Sequence, residues 1–170
     1  LETRIQKIVL PKGAPLLRPG EICRHLYFLE NGFLRFYRLA DEEEHTVDFV
    51  VKGHFFSALE SLLGQAKSRV GMVCEADTQL YALHYYDLLA LEELSLEFVL
   101  LGKSLLAQHL LRLNREKNAY RRGSATEKYR YLLQNYPGIT AYIKHKDLAS
   151  YLGIAQQSFS RILKEMLTKG

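Results

Sequence analysis

The chain has 170 residues, 48% of them apolar and 25% charged, which suits one large or two small globular domains. That composition excludes a low-complexity or disordered polymer, and no apolar run approaches the ~20 residues a membrane-crossing helix needs. The formal net charge of +4 conceals a division. Residues 1–102 hold ten Lys/Arg against fifteen Asp/Glu, and residues 103–170 hold thirteen against four. A polyanionic partner is therefore expected at the C-terminal end. Cys23 and Cys74 stand far apart with no CxxC, so two buried free thiols are expected, and no iron–sulfur or other metal site. No stretch reads as a signal peptide, so a cytoplasmic location is expected. The chain opens on Leu1 rather than Met, and the true N-terminus is expected upstream of it.

In chain order, residues 1–84 read as short strands with turns. Ile5–Leu10 is the first, followed by Pro11-Lys12-Gly13 and Pro19-Gly20. His25–Glu30 and Phe33–Leu39 flank Asn31-Gly32, a strong hairpin signal because both residues tolerate positive φ. Asp41-Glu42-Glu43-Glu44 reads as a solvated loop tip. Thr46–Val51, Gly71–Glu75 and Gln79–Leu83 continue the series, predicting an antiparallel roll or jelly roll.

After Tyr85 the period becomes helical. Tyr86–Glu92 is a short helix, and Ser95–Arg121 a long one without internal proline. Leu96, Val99, Leu106, Leu110 and Leu113 follow a 3–4 spacing interrupted by Lys103, while Leu100, Leu101, Leu105, Ala107 and Leu111 occupy neighbouring faces. One stripe would suffice to pack on a roll, so the surplus predicts a second surface, met by the same helix of another subunit. Arg121-Arg122-Gly123 ends this helix and reads as a hinge, and Ser124-Ala125-Thr126-Glu127 as a capping box for the next, stopped by Pro137-Gly138. Ile139–Ile143 reads as a short extended piece. The expected division is residues 1–94, 95–122 and 123–170.

The last segment reads as a helix-turn-helix. Leu148, Ala149 and Leu152 form one apolar face, Gly153 sits where a left-handed turn is needed, and Ile154 plugs the angle. Phe159, Ile162, Leu163 and Met166 make the apolar stripe of a second helix. Its other face carries Gln156, Gln157, Ser158, Ser160, Arg161 and Lys164, the amide, hydroxyl and cationic groups that read base edges and hold phosphates. A wing hairpin, if the protein carries one, lies beyond Gly170.

A small β-roll, a long helix and a C-terminal helix-turn-helix together resemble the Crp/Fnr family of bacterial transcription regulators. Gly13, Gly20-Glu21, Asn31-Gly32 and Gly53 match the turn glycines of the family's cyclic-nucleotide-binding-type roll. Leu148-Ala149, Gly153-Ile154 and Ser160-Arg161-Ile162-Leu163-Lys164 match its DNA-binding domain. The resemblance implies an α+β fold, a long dimerisation helix, a homodimer on palindromic double-stranded DNA, and RNA polymerase as a further partner. It implies leading base contacts from Gln156 and Gln157, a base or phosphate contact from Ser158 and a further base contact from Arg161. Ser160 and Lys164 are then phosphate contacts.

The ligand segment departs from the family. Where cyclic-nucleotide binders carry Gly-Glu, this chain has Ser57-Ala58, and their Arg-Ser pair appears reversed as Ser68-Arg69. A methyl group thus replaces the ribose acceptor, and cyclic-AMP binding is not expected. Glu60, Lys67, Ser68, Arg69 and Asn114 remain the candidate liners for an unidentified small-molecule effector.

The roll architecture also serves cupin metalloenzymes, but His25, His45, His54, His84, His109 and His145 form no HxH pair or HExxH. Neither GxSxG, a phosphate-binding loop nor a dinucleotide fingerprint occurs, so no enzyme and no cofactor are expected. The alternative is a cupin-like or cyclic-nucleotide-binding-like sensor module acting through a protein partner.

Overall fold

A computed structural model describes residues 4–167. Among them the strands are β1 (Ile5–Leu10), β2 (Pro15–Leu17), β3 (His25–Asn31), β4 (Phe33–Ala40), β5 (Glu43–Val51), β6 (Phe55–Phe56), β7 (Gly71–Cys74) and β8 (Thr78–His84). The helices are α1 (Leu59–Gly64), α2 (Tyr85–Leu94), α3 (Leu96–Arg122), α4 (Ala125–Asn135), α5 (His145–Leu152) and α6 (Gln156–Leu167). By packing, the chain forms two compact units, residues 1–107 and 108–170, and α3 contributes to both.

The N-terminal unit is the expected antiparallel roll. One sheet runs β1-β8-β3-β6 and the other β2-β7-β4-β5. Alternation places Tyr27 and Leu29 of β3 and Leu80 and Ala82 of β8 inward, against Leu34 and Phe36 of β4, Met72 and Cys74. Both cysteines are buried and neither is in a disulfide. Burial also pushes the Cys74 thiol above its ordinary range.

Three local expectations are corrected. Asn31-Gly32 does not close a hairpin: β3 pairs with β8 and β6, and β4 with β5 and β7, so the dipeptide carries the chain from one sheet to the other. Gly32 is required there, having φ +111° and backbone so close to Thr78 that a Cβ would lie 2.6 Å from its Oγ1. The hairpin is instead β4–β5, turned by Asp41 and Glu42 alone, both with positive φ (51° and 64°). Glu43 and Glu44 therefore belong to β5 rather than to a loop tip, and Glu44 is drawn 2.7 Å from Arg35. Finally, Ile139–Ala141 is a 3-10 turn, not an extended piece, because Ile139 is buried with its N–H donating back to Tyr136 O and Gly138 adopts a left-handed conformation.

Candidate nucleic-acid interface and roll loop

The C-terminal unit builds its candidate surface from local rules. Ser124 opens α4 with a reciprocal capping box: its Oγ accepts from Glu127 N, and its own N–H donates to Glu127 at 2.7 Å. These donated bonds hold the Glu127 carboxyl below its ordinary value of 4.5. α5 ends in a Schellman motif on Gly153 (φ +65°), with Gly153 N donating to Ser150 O and Ile154 N to Ala149 O, each at 3.1 Å. Lys128 Nζ reaches Leu152 O at 3.4 Å from α4, adding a cation at the negative end of α5.

A compact core then fixes α6. Phe159 is fully buried, edge-on to Tyr129 (5.0 Å) and to His145 (5.7 Å), and Ile162 is buried, as are Leu148, Ala149 and Leu152 of α5. At about 100° per residue, Phe159, Ile162, Leu163 and Met166 share one side of α6. Gln156, Gln157, Ser160, Arg161 and Lys164 fall within an arc of about 140° on the opposite side, and all five are exposed. Ser158 lies between the two faces and is half-buried. The Ser160 hydroxyl donates to Gln156 O at 3.0 Å, a bond it must leave before it can donate to a phosphate. Arg161 stands 4.0 Å from Glu165 with both side chains mostly exposed, a pair weak enough to exchange for another anion.

The roll's ligand-loop candidates are more scattered. Glu60 and Arg69 do approach, at 3.9 Å, but on the surface, where both are over 70% exposed. Lys67 is exposed, on an isolated bridge to Ile22. Ser68 faces inward, its Oγ donating to Val70 O at 2.8 Å and accepting from Val70 N. Asn114 belongs to the other compact unit and is exposed on α3.

A buried polar cluster under this loop escaped the sequence reading. Ser57 Oγ donates to His25 O at 2.9 Å and lies 3.2 Å from Cys23 Sγ. Cys23 N donates to Ser61 Oγ, and Ser61 Oγ donates to Ala66 O. The loop's hydroxyls are thus satisfied by its own backbone, by the first residue of β3 and by Cys23 just before it. No motif spacing links Cys23 to residues 57–68, so no local signal announces the cluster.

Residues 7–93 match the cyclic nucleotide-binding domain family. The chain is 29% identical over 171 residues to a cyclic AMP receptor protein of Thermus thermophilus, covering 97% of this chain and 78% of that one. It also resembles the crystal structure of the Thermus thermophilus catabolite activator protein, at 27% identity and TM-score 0.56 over 99% of this chain and 81% of that one. The fold agrees better with FixK2 from Bradyrhizobium japonicum, at TM-score 0.83 and 18% identity, over 98% of this chain and 86% of that one.

Proposed function

The chain belongs to the cyclic nucleotide-binding domain family, and we propose from its likeness to a cyclic AMP receptor protein over 97% of its length that it is a Crp/Fnr-type homodimer that binds duplex DNA sequence-specifically without cyclic AMP. The observation that carries this reading is α6, whose five exposed amide, hydroxyl and cationic side chains stand opposite the buried Phe159 and Ile162. Amides pair with adenine edges and guanidinium with guanine, which assigns base contacts to Gln156, Gln157 and Arg161, and phosphates to Ser160 and Lys164. Ser158, at the margin of the face, is suited to a phosphate.

In this reading residues 1–94 form a scaffold or sensor, 95–122 pair about a two-fold axis, and 123–170 dock in the major groove. The pairing surface is supplied by exposed leucines of α3, among them Leu96 (69%), Leu100 (54%), Leu106 (43%) and Leu110 (60%). Apolar side chains so exposed along one helix fit a partner helix better than solvent. Independence from cyclic AMP is supported by Ala58 at the ribose-acceptor position and by Ser68, whose hydroxyl is engaged with Val70. A cytoplasmic regulator of this kind would act on RNA polymerase from its operator.

Selection of genomic fragments by the purified protein tests the proposal. An inverted repeat should emerge, its half-sites ~34 Å apart, and affinity should fall steeply as salt rises through counterion release. A monomer indifferent to duplex DNA at low salt would refute it.

A further inference from the structure

Within the C-terminal unit, the last turns of α3 are tied to the helices that follow by more than the covalent link at Gly123. Tyr136 sits at the C-terminus of α4, its N–H donating to Leu132 O and its carbonyl accepting from Ile139 N. Its hydroxyl, buried, donates to Glu116 Oε1 of α3 at 3.0 Å and accepts from Arg112 at 3.0 Å. Arg112 closes the triangle by donating to the same Glu116 oxygen at 3.1 Å, one turn along α3. Glu116 is buried although Arg115 and Lys117 on either side are exposed, so this carboxylate marks the face of α3 that the module covers. One turn further on, Tyr120 stacks edge-on to Tyr131 of α4 and Tyr151 of α5, at 5.5 and 5.4 Å.

We propose that Arg112, Glu116 and Tyr136 are positioning residues that set the bearing of α6 relative to α3, and hence the half-site separation a dimer accepts. A charge-assisted triangle is more directional than apolar packing, because each bond fails when its angle opens. An apolar contact alone would let the three-helix module slide on α3. The triangle holds the end of α4, from which the 3-10 turn, α5 and α6 follow in sequence. This inference rests on the DNA-binding reading above.

The test uses the full chain with Tyr136→Phe, which removes the hydroxyl, and Glu116→Gln, which keeps an acceptor oxygen but removes its charge. Selected half-sites are placed on duplexes whose spacer varies one base pair at a time, with a lone half-site as reference. Wild type should prefer one spacing. In each variant that preference should shrink about fivefold, the loss expected of one charge-assisted hydrogen bond, while lone half-site affinity stays within about twofold. An unchanged spacing preference overturns the proposal, and so does an equal drop on every duplex, which plain destabilisation would produce. If Tyr136→Phe loses helicity, Glu116→Gln is judged by the same two outcomes. A wild type that binds no duplex at all overturns the DNA-binding reading and this proposal together.

Discussion

Arg35 and Glu75 meet at 2.6 Å in the roll, their side chains only 7% and 13% exposed. Arg35 extends a second nitrogen to Glu44 at 2.7 Å, reaches Thr46 at 3.4 Å and lies over the ring of Tyr37. One guanidinium thus ties β4 to β5 and to the end of β7, using its fork geometry to serve two carboxylates. Because Glu44 remains, Glu75→Gln should destabilise the chain by about 2–4 kcal/mol, somewhat less than the loss of an only partner. Urea unfolding checks this, and a loss below about 0.5 kcal/mol would show that solvent replaces Glu75.

Gly32 and Gly13 both have positive φ, +111° and +84°, but only Gly32 is crowded. Gly13→Ala should cost about 1–2 kcal/mol, the penalty of a left-handed alanine. Gly32→Ala adds a collision with Thr78 backbone and should exceed ~3 kcal/mol, since the start of β8 must draw back from the end of β3 to admit the methyl group. Equal melting temperatures for the two variants would contradict this contrast.

His25 gives the roll a pH dependence. Its ring is held below the ordinary value of 6.5, first by burial and then by His84, 5.1 Å away, and Arg24. The folded chain therefore resists a proton that the unfolded chain accepts. Stability from this source is complete above 6.5 and declines as pH falls from 6.5 toward the lowered folded value. Denaturation midpoints should drop between pH 7.5 and 5.5, and His25→Gln should flatten the drop. An identical slope in the variant would remove His25 as the cause.

Arg161 is expected to specify rather than merely attract. Arg161→Ala should cost about 1–3 kcal/mol of operator affinity and relax one base position in each half-site. Lys164→Ala should instead weaken binding alike on all sequences and reduce the salt slope by about one. Base-substituted duplexes titrated at two salt concentrations separate these outcomes. A uniform loss from Arg161→Ala would reassign that residue to the backbone.

What could be read in advance follows from range. The capping box at Ser124 and Glu127, the left-handed Gly153 and the opposed faces of α6 each depend on neighbours within a few positions, and their bounds emerge nearly as expected. Asn31-Gly32 misled because a dipeptide suited to a hairpin is equally suited to a crossing, and the choice lies with Thr78, distant in sequence. Asp41-Glu42-Glu43-Glu44 was legible as a loop tip but silent on its length: only Asp41 and Glu42 turn, and Glu43 and Glu44 join the β4–β5 ladder, where Glu44 meets Arg35. The triangle of Arg112, Glu116 and Tyr136 was equally silent, because a charged pair four residues apart on a helix ordinarily faces water.

The serines beneath the roll loop carry a consequence for how such a protein is controlled. Ser57, Ser61 and Ser68 already have their bonds within the fold, so a metabolite arriving there must first break them and gains little by linkage. On the DNA-binding reading, promoter occupancy would then track the number of copies in the cell. The instruction would be written in synthesis and turnover, and the roll would serve as a keel.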